Sequence, residues 1–399
     1  MMPELSKKSV SDVELGGKRV LLRVDFNVPL GPEREILDDT RIRAHLPTIN
    51  YIISKGAKLI VASHLGRPKG KVVPELSLAP VAKRLDELLE AKVRFVDDCV
   101  GPKVASAVDS LGVGEILLLE NTRFKPGETE NSPELAKQFA MLCDVYVDDA
   151  FSAAHRAHAS VAAVAKFVPE SVEGFLMEKE VFNLGKLLQS PVQPFIVILG
   201  GAKVKDKIGL ISHLIGKVDT MAIGGGMCFT FLKAKGLGIG DSLLDEEHLR
   251  AITSLLDEAE SMGTRIVLPI DIVVAEDVSA EADVSVVPAD KIPDGQKGLD
   301  IGPQTVNLFV SMIEPAATVF WNGPMGVFEK PAFAKGTMAV AKALARASGT
   351  TVVGGGETVS AVRAAGVADR ITHISTGGGA SLEFLAGETL PGIAVLDDI

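Results

Sequence analysis

The run FIVILGGAKVKDK, residues 195–207, shows the pattern that decides the fold, because a short apolar run ends abruptly in glycines and lysines. A continuous apolar run of this length is typical of a parallel strand buried on both faces. Ligands of open α/β sheets bind just beyond the carboxyl ends of such strands. The pattern recurs in VLLRVDFNVP (20–29), KLIVASHLGRP (58–68), EILLLENTRF (115–124), VYVDDAFSAAHRAH (145–158), TMAIGGGMCF (220–229), TTVVGGGETV (350–359) and HISTGGGAS (373–381).

The residues that end these runs differ between the two halves of the chain. In the first half they include the cationic side chains Arg23, Arg67, Arg123 and Arg156, with His64 among them. In the second half they are glycine clusters. The sequence therefore predicts two sheets. The carboxyl edge of one is lined by cationic side chains, and that of the other is lined by glycine backbone. This pairing suggests that two different anionic ligands are brought together.

Length and charge limit the classes of protein to consider. A chain of 399 residues is long for one hydrophobic core and favours two or more domains. Its hydrophobic content of 47% is enough to form large cores. The formal net charge of -11 argues against broad binding to nucleic acid or to an anionic membrane. If so acidic a chain binds anions, it must concentrate cations locally.

The cysteines and the apolar stretches point to an intracellular setting. Cys99, Cys143 and Cys228 are far apart and lack metal-ligand spacing, so we expect them to be reduced and mostly buried. Residues 1–14 lack the apolar stretch of a secretory signal. No apolar run approaches the ~20 residues that span a bilayer. We therefore expect a cytoplasmic enzyme.

Helical patterns alternate with the apolar runs. Apolar residues recur at helical spacing in the segments 78–89, 133–142, 249–262 and 334–347. Ser132 is the expected N-cap of the second of these helices, with Pro133 at its first position. Strands that alternate with helices of this length predict parallel βαβ units. A further helical segment, 178–189, precedes a Pro-containing linker that ends at residue 194, so we place a domain joint there with the helix as a stiff connector.

Asp25 and Asn27 are two residues apart at a strand end, so their side chains can point to the same side. A carboxylate and an amide in this arrangement can accept from and donate to a hydroxylated substrate. Alternatively, Asp25 pairs with Arg23 or caps a turn. The sequence leaves both interpretations of this segment open.

Arginines follow several of the predicted strands, and a guanidinium fork suits phosphate or carboxylate recognition. His64 and Arg67 lie in the loop SHLGRP, residues 63–68. A lone arginine in a loop is usually a solvated charge. Four arginines at equivalent strand ends, with Arg41 after Asp38-Asp39-Thr40, favour a convergent anion site.

The segment HRAH places His155 and His158 three residues apart around Arg156. Metal binding is the alternative to consider, yet the spacing is three rather than four and no downstream ligand stands out. Structural hydrogen bonding by the two histidines is favoured, with Arg156 as the site residue.

The glycines and lysines of GGAKVKDK suggest an anion site of a different kind. Lys203 and Lys207 are four apart and share a face if a helix begins there. Glycine lets a phosphate approach the backbone, and a helix N-terminus favours anions. The chain has neither a Walker A loop nor a good dinucleotide fingerprint. Tight turns and two surface lysines would explain one such segment, but not four glycine clusters after four apolar runs.

Three later segments add polar groups to the same predicted edge. WNGPMGVFE, residues 321–329, offers Asn322 and Glu329 as anchors for a sugar or nucleobase. GGGET, residues 354–358, combines a backbone nest with a carboxylate, which suits phosphate and magnesium. STGGGAS, residues 375–381, leads into another helix N-terminus.

Taken together, these segments resemble the phosphoglycerate kinase family. RVDFNVP, SHLGRP, ENTRF, HRAH, GGAKVKDK, GGGM, WNGPMGVFE and STGGGAS occur in the order and spacing of the family over nearly the whole chain. The resemblance implies an α/β protein with two Rossmann-like, doubly wound parallel-sheet domains joined by a hinge helix. It implies a phosphoglycerate-binding domain at 1–177, an interdomain helix and linker at 178–194, and a nucleotide-binding domain at 195–389. A tail of about 390–399 would pack back on the first domain.

The resemblance also implies the site residues. The residues expected to hold 3-phosphoglycerate or 1,3-bisphosphoglycerate are Asp25, Asn27, Arg41, His64, Arg67, Arg123 and Arg156. Those expected to hold ADP or ATP are Gly200, Gly201, Lys203, Lys207, Gly225, Gly226, Gly298, Leu299, Asn322, Pro324, Glu329, Gly355, Gly356, Glu357 and Thr358. The family commonly has Asp where this chain has Glu357. Both are hard oxygen ligands for Mg²⁺, and the extra methylene allows a water-mediated contact instead of direct ligation.

The expected reaction is reversible transfer of a phosphoryl group from 1,3-bisphosphoglycerate to ADP. Such chemistry needs positioning and charge neutralisation more than covalent help from the protein. We expect direct in-line transfer after hinge closure, with no phosphorylated side chain. Arg41 and Lys207 would neutralise the transferring group, assisted by Lys203, Mg²⁺ and the helix terminus at Gly378.

Two other classes of protein are alternatives. A nicotinamide-dependent dehydrogenase requires a G-x-G-x-x-G loop that opens a helix, followed by an acidic residue about 20 residues later. The glycine segments do not supply that pattern. A non-catalytic, hinge-bending binding protein would explain two lobes and anion-binding arginines, but not Lys203 and Lys207 beside glycines in the opposite lobe. We expect a monomer, with no nucleic-acid or membrane partner.

Overall fold

The computed structural model describes residues 6–279 and 283–399. The chain forms two compact units. The first comprises the residues up to Phe182 together with Thr389–Ile399, and the second is Asn183–Glu388.

The first unit is built on a six-stranded parallel sheet. Its strands are β1 Arg19–Arg23, β2 Lys58–Ala62, β3 Val93–Val96, β4 Ile116–Leu119, β5 Val145–Asp148 and β6 Ser171–Glu173. Their order across the sheet is β3-β4-β2-β1-β5-β6. All the pairings are parallel, as the continuous apolar runs predict.

Helices connect these strands. They are α1 Thr40–Ser54, α2 Ala79–Leu88, α3 Pro102–Asp109, α4 Pro126–Thr129, α5 Pro133–Ala140 and α6 Phe175–Gln189. The helices predicted at 78–89 and 133–142 are confirmed as α2 and α5. The Ser132 hydroxyl caps α5 by accepting from the backbone N–H of Leu135 at 3.3 Å. Helix α6 begins three residues earlier than its apolar pattern suggested.

Both faces of the first sheet are covered, which explains why its strands are apolar throughout. On β1, Val20 and Leu22 pack in one buried cluster, whereas Leu21 packs in another on the opposite face. Successive side chains of a strand point to opposite faces, so the two clusters lie on the two sides of the sheet. The first cluster includes Ile49 of α1 and the second includes Phe139 of α5. The sheet is therefore doubly wound, as predicted.

The second unit contains a larger parallel sheet and a smaller antiparallel one. Its strands are β7 Phe195–Leu199, β8 Thr220–Ile223, β9 Arg265–Val267, β10 Asp271–Ala275, β11 Ser285–Pro288, β12 Lys297–Ile301, β13 Thr318–Asn322, β14 Thr350–Gly354 and β15 His373–Ile374. The parallel sheet has the order β15-β14-β13-β7-β8-β9, which is the Rossmann order. The antiparallel sheet has the order β11-β10-β12. Strands β11 and β12 therefore each pair with β10 and not with one another.

The helices of the second unit follow the same alternation. They are α7 Ile208–Leu214, α8 Cys228–Ala234, α9 Leu249–Ser261, α10 Pro303–Ile313, α11 Lys335–Leu344, α12 Gly356–Ala364 and α13 Gly379–Leu385. The helices predicted at 249–262 and 334–347 are confirmed as α9 and α11. The segment that holds Lys203 and Lys207 is not a continuous helix, because α7 begins only at Ile208 after a 3-10 turn at Lys205–Lys207.

The last residues of the chain belong to the first unit, where they form α14 Pro391–Ala394 and an extended end. The Lys7 ammonium donates to the carbonyl oxygen of Leu396 at 2.8 Å and pairs with Asp398 at 2.6 Å. The Asp397 carboxylate accepts from the backbone N–H of Ser171 at 3.0 Å. These contacts fasten the end of the chain to its beginning and to β6.

Two sequence-based expectations concern the rest of the molecule. Cys99, Cys143 and Cys228 are buried and carry free thiols. Within residues 6–279 and 283–399, no helix combines the length and the apolar character needed to cross a bilayer.

Candidate active site

The carboxyl ends of four neighbouring strands meet at one edge of the first sheet. Arg23, the last residue of β1, is in register with Ala62 of β2 on one side and with Asp148 of β5 on the other. Strand β4 lies beyond β2 with the same direction. The segments after these strands are the ones that the sequence singled out, so the topology brings their side chains to a common edge.

Asp25 is the centre of a hydrogen-bond network at this edge. Its carboxylate accepts from Arg41 and from the Ser152 hydroxyl, and from the backbone N–H of Asn27 at 3.1 Å. Although burial raises the pKa of Asp25, the nearby positive charge and the hydrogen bonds hold that pKa below its ordinary value of 3.8. Asp25 is therefore ionised and pairs with Arg41. Among the described residues it forms no ion pair with Arg23, whereas its bond from the Asn27 N–H caps a turn, the other part of that alternative.

Asn27 uses its side chain to hold the neighbouring loop. Its amide oxygen accepts from the backbone N–H of Gly66 at 2.9 Å. Asn27 therefore fixes the SHLGRP loop in place, with its side chain directed at protein backbone.

His64 and Arg23 form a buried pair. The Nη2 atom of Arg23 lies 3.1 Å from Nδ1 of His64, and Arg23 Nε donates to the Ser160 hydroxyl at 2.9 Å. Ser160 in turn donates to the Glu128 carboxylate at 2.5 Å. Burial, reinforced by the charges of Arg23 and Arg123, lowers the pKa of His64 well below its ordinary value, against the pull of Asp25. The His64 imidazole is therefore neutral, and it can donate a hydrogen bond without adding charge.

Arg123 and Arg156 add cations that have no carboxylate partner among the described residues. Arg123 donates from Nη1 to the carbonyl oxygen of Gly66 at 2.8 Å, and Arg156 donates from Nε to His155 at 3.1 Å. Burial and the repulsion of Arg23 and Arg156 lower the pKa of Arg123 to about 10. Cations that repel one another and lack a direct carboxylate partner form a strong site for an anion.

The two histidines of HRAH are neutral. Burial, reinforced by Arg123, lowers the pKa of His158 to about 3. Burial and the adjacent Arg156 lower the pKa of His155. Within the described part of the chain, the Nδ1 atoms of both rings have no hydrogen-bond partner. Structural hydrogen bonding, the favoured interpretation of these histidines, therefore applies only to Nε2 of His155.

Two cations lie at the margin of this cluster. Arg67 is exposed, and it makes no hydrogen bond or ion pair with residues 6–279 or 283–399. Arg41 is on the first turn of α1, and 42% of its side chain is exposed while it contacts Asp25. Both side chains are free to reach a ligand in the solvent-facing part of the edge.

Sequence reasoning missed three residues that contact Asp25 or the groups around it. The Ser152 hydroxyl donates to the Asp25 carboxylate, and His45 accepts from the Asp25 backbone N–H at 3.0 Å. Asp149 lies 2.8 Å from the other nitrogen of His45. One sequence signal was present, because His45 is four residues after Arg41 and therefore shares its helix face.

The second sheet also converges at its carboxyl edge. Asn322, the last residue of β13, is in register with Leu199 of β7 and with Gly354 of β14. Strands β7 and β13 are where the strand order reverses, and ligands of doubly wound sheets bind at that switch point.

Gly200 follows β7 at this switch point, and its neighbours leave no room for a side chain. A Cβ atom there would lie 2.1 Å from the carbonyl oxygen of Pro324 and 2.5 Å from the Met325 side chain. The backbone N–H of Gly201 donates to the same Pro324 oxygen at 2.8 Å. Gly200 therefore brings the loop after β7 against the loop after β13.

Lys207 is buried at this junction. Its ammonium donates to the carbonyl oxygens of Gly200 and Asn322, the latter at 3.2 Å. Burial lowers the pKa of Lys207 to about 8, against the opposing influence of Glu357 and Asp206. Lys203 is exposed, so the two lysines differ in environment and do not share a helix face.

A cavity of about 410 Å³ opens beside these loops. Its walls include the loops after β7, β8 and β13, the length of β12 and the start of α12. The predicted nucleotide-binding residues that line it are Gly201, Gly225, Gly226, Gly298, Leu299, Pro324, Glu329 and Glu357. Phe229, Ile272 and Val327 add apolar surface. One apolar cavity with backbone and a few polar groups at its rim is typical of a cofactor or nucleotide site.

Several predicted residues do not line this cavity. Asn322 is buried and donates from its amide to the carbonyl oxygen of Gly354 at 2.8 Å. The Thr358 hydroxyl accepts from the backbone N–H of Gly323 at 2.7 Å. These two side chains hold β13, β14 and α12 together. Gly200, Gly355, Gly356, Lys203 and Lys207 also lie outside the lining residues.

Glycines precede two helices at the same edge. Gly355 is the N-cap of α12 and places Glu357 in the first turn, where its carboxylate is exposed and lines the cavity. Gly378 is the N-cap of α13. Backbone N–H groups at helix starts attract anions.

The residues at this edge fit a magnesium ion held mainly by a nucleotide. Within residues 6–279 and 283–399, no three His, Cys, Asp or Glu side chains form a group that could hold a metal ion. Magnesium usually takes one or two protein carboxylates, with substrate phosphates and water as its other ligands. The exposed Glu357 carboxylate at the cavity rim matches that donor set.

The comparisons with known proteins agree with one another. A family model described as phosphoglycerate kinase matches residues 10–388. A phosphoglycerate kinase from Moorella thermoacetica is 54% identical over 394 residues, which cover 99% of this chain and 100% of the relative. One from Herpetosiphon aurantiacus is 52% identical over 394 residues, with the same coverage.

Solved structures give the same result. The structure of phosphoglycerate kinase from Coxiella burnetii is 40% identical, with a TM-score of 0.90 and coverage of 98% of both chains. That of phosphoglycerate kinase from Pyrococcus horikoshii is 32% identical, with a TM-score of 0.83 and coverage of 97% of this chain and 98% of the other.

Proposed function

The chain belongs to the phosphoglycerate kinase family, and from this premise we propose which substrate binds at the carboxyl edge of each of its two parallel sheets. The reaction is the reversible transfer of a phosphoryl group from 1,3-bisphosphoglycerate to ADP, which gives 3-phosphoglycerate and ATP in glycolysis. The protein is therefore a kinase with phosphoglycerate and nucleotide substrates. The proposal concerns which residues bind each substrate and how the transfer occurs.

The edge after β1, β2, β4 and β5 holds the phosphoglycerate. The observation that supports this assignment is the cluster of Arg123, Arg156 and Arg23, which have no carboxylate partner within 4 Å among the described residues. Burial, with the charges of Arg23 and Arg156, lowers the pKa of Arg123 to about 10. An anionic ligand relieves that repulsion. Neutral His64 and ionised Asp25 then supply a donor and an acceptor for the hydroxyl of the glycerate. The predicted set is Asp25, Asn27, Arg41, His64, Arg67, Arg123 and Arg156.

The cavity at the β7–β13 switch point holds the adenosine part of the nucleotide. Phe229, Ile272 and Val327 offer apolar surface to the base, and Glu329 offers an acceptor to the ribose. The phosphates extend toward the loop after β7 and toward the start of α12, where Gly355 and Gly356 expose backbone. Lys203, exposed on the same loop, reaches the phosphates from solvent.

Glu357 would hold a magnesium ion together with the nucleotide phosphates, and the bound ion would supply positive charge to the phosphate oxygens. The protein contributes a single carboxylate in the first turn of α12. Its reach is one methylene longer than that of aspartate, which suits contact through a metal-bound water as well as direct contact.

The chain's own groups position the reactants and neutralise charge. An oxygen of the ADP β-phosphate attacks the phosphorus of the acyl phosphate, and the carboxylate of 3-phosphoglycerate leaves with the bonding electrons. Neither group needs a proton, so no general acid or base is required. Arg41 and Lys207 neutralise the transferring phosphoryl group, and the backbone at Gly378 adds donors. Closure about the connecting helix excludes water, which would otherwise hydrolyse the acyl phosphate.

The enzyme acts as a monomer in the cytoplasm. The proposal of a cytoplasmic location follows from the place of the family in glycolysis. Each of the two proposed substrate sites is formed by residues of one chain, so neither requires a residue from a second copy. Light scattering during size-exclusion chromatography tests the monomer against the 42.0 kDa mass of the chain.

The experiment that tests the assignment is binding of one substrate at a time. Arg123→Ala should weaken 3-phosphoglycerate binding by about 100-fold, the loss of a charge-assisted bidentate contact, and leave MgADP binding unchanged. Gly298→Leu, whose Cβ would lie 2.0 Å from the Phe229 ring in the cavity wall, displaces that wall and should weaken MgADP binding while leaving 3-phosphoglycerate binding unchanged. Calorimetric titration measures both. If either folded variant lost binding of both 3-phosphoglycerate and MgADP, the assignment of one substrate to each sheet would be overturned.

A further inference from the structure

His45 and Asp149 form a buried pair behind the phosphoglycerate edge. The Nδ1 atom of His45 lies 2.8 Å from Oδ2 of Asp149, and the two residues are 1% and 0% exposed at their side chains. His45 is on α1, one helical turn after Arg41. Asp149 directly follows β5. Neither residue belongs to the predicted substrate set.

The protonation of His45 follows from its two contacts. The backbone N–H of Asp25 donates to Nε2 of His45 at 3.0 Å, so Nε2 carries a lone pair. The proton of the neutral ring is then on Nδ1, where it is donated to Asp149. The edge of the ring also packs against Phe26, with ring centroids 5.7 Å apart. The ring is therefore fixed in position, orientation and tautomer.

Asp25 is thus held from two sides by one face of α1. Arg41 contacts its carboxylate, whereas His45 holds its backbone. Residues four apart on a helix lie on the same face, which explains how both reach one target. The backbone contact sets where the Asp25 carboxylate is presented.

The other oxygen of Asp149 caps a different element. Oδ1 accepts from the backbone N–H of Leu176 at 2.8 Å and of Met177 at 3.2 Å. These are free N–H groups in the first turn of α6, the helix that continues into the second unit. A Cβ atom at Gly174 would lie 2.2 Å from the same oxygen, so glycine there makes room for the carboxylate.

We propose that His45 and Asp149 are positioning residues that link the substrate-binding segment at Asp25 to the first turn of the connecting helix α6. One carboxylate holds both the imidazole that fixes Asp25 and the N–H groups that begin α6. Tightening of the Asp25 segment by phosphoglycerate therefore tightens the start of α6. This inference rests on the proposed assignment of Asp25 and its neighbours to the phosphoglycerate edge.

The chain offers a matched control on the same helix. The Thr48 hydroxyl of α1 accepts from the backbone N–H of Phe175 at 3.1 Å, so it also holds the start of α6. Thr48 has no hydrogen bond to Asp25 or His45 among the described residues. Thr48→Val therefore loosens the first turn of α6 and leaves the Asp25 segment in place.

The first test is calorimetric binding of 3-phosphoglycerate, with a thermal unfolding midpoint for every variant. His45→Ala and Asp149→Asn should weaken binding about 10-fold, the effect of one lost buried hydrogen bond. MgADP binding should stay unchanged in both. His45→Gln, which keeps a donor and an acceptor, should recover most of the affinity. Thr48→Val should lower the unfolding midpoint without changing the affinity.

The second test measures the link itself. In hydrogen exchange followed by NMR, 3-phosphoglycerate should slow exchange of the Leu176 and Met177 amides in the wild type and in Thr48→Val. It should not slow them in His45→Ala. Equal slowing in His45→Ala, or unchanged 3-phosphoglycerate affinity in that folded variant, would overturn the link. Normal binding by Arg123→Ala would instead show that the substrate edge itself is misassigned.

Discussion

The ammonium of Lys207 lies 3.2 Å from the carbonyl oxygen of Asn322, at the crevice between β7 and β13 where the strand order of the second sheet reverses. It also donates to the carbonyl oxygen of Gly200. Backbone carbonyls thus hold a lysine beside the cavity without neutralising its charge by an ion pair. Its burial lowers its pKa to about 8, so the charge of Lys207 is sensitive to mildly alkaline pH.

Activity should therefore depend on pH through Lys207. Below pH 8 the side chain is cationic and neutralises the transferring group, whereas deprotonation above pH 8 removes that charge. We expect kcat/KM for ADP to fall as the pH rises through about 8 in the free enzyme. Lys207→Arg should move this fall to higher pH, because a guanidinium stays charged. A fall at the same pH in Lys207→Arg would assign the titration to another group.

Arg41→Ala should cut kcat more than KM. If the guanidinium acts on the transferring group, its loss costs on the order of 3 kcal/mol, or about 100-fold in kcat. Arg43→Ala is the matched control, because Arg43 is on the same helix but pairs with Asp39 at 2.9 Å. Steady-state kinetics should show wild-type constants for Arg43→Ala. Normal turnover by Arg41→Ala would remove Arg41 from the transfer step.

The sequence was most informative where a residue's environment depends on neighbours along the chain. Strands such as β7 read as continuous apolar runs because helices cover both faces of each sheet. The Ser132 cap of α5 and the apolar faces of α2 and α5 likewise depend on residues that are close together in the sequence. Since parallel strands end at a common edge, the grouping of His64 and Arg123 followed from their positions just after predicted strands.

The features that the sequence did not predict depend on long-range packing. His45 and Asp149 are 104 residues apart. His45 lies outside the quoted segments, and nothing along the chain marks Asp149, within VYVDDAFSAAHRAH, as its partner. The 3-10 turn before α7 separates the environments of Lys203 and Lys207, because it turns one lysine inward and leaves the other in solvent. Strand β11 is short and largely exposed, so it lacks the apolar run that marks the parallel strands.

Glu357→Gln should raise the magnesium concentration needed for half-maximal activity by about 10-fold, since an anionic oxygen ligand becomes neutral. ADP affinity in the absence of magnesium should not weaken. Glu357→Asp is the matched variant because it keeps the carboxylate, and it should retain the wild-type magnesium dependence. Magnesium titrations of the rate distinguish the variants. An unchanged magnesium requirement in Glu357→Gln would exclude this residue as a ligand, direct or through water.

Glu173→Gln should change how stability depends on pH. Burial, with the charges of Glu178 and Asp149, raises the pKa of Glu173 from 4.5 to about 8. Within the described residues its Oε2 atom has no hydrogen-bond partner. Between those pH values the folded protein keeps a proton that the unfolded chain releases, so wild-type stability falls as pH rises through this window.

The glutamine variant cannot titrate, so it should gain more than about 1 kcal/mol relative to the wild type between pH 5 and pH 8. Urea unfolding at the two pH values measures the difference. Glu170→Gln, at a nearby half-buried residue that pairs with Lys18 at 2.8 Å, should show no such gain. A constant difference between Glu173→Gln and the wild type at both pH values would mean that Glu173 is already ionised in the folded protein.

The proposed mechanism passes the phosphoryl group directly between substrates held at the carboxyl edges of two separate sheets. The most direct measurement is the stereochemical course at phosphorus, with 1,3-bisphosphoglycerate made chiral at the transferred group by oxygen isotopes. A single in-line displacement predicts inversion of configuration in the ATP formed. Retention would require two displacements and hence a phosphorylated side chain, and it would contradict the account.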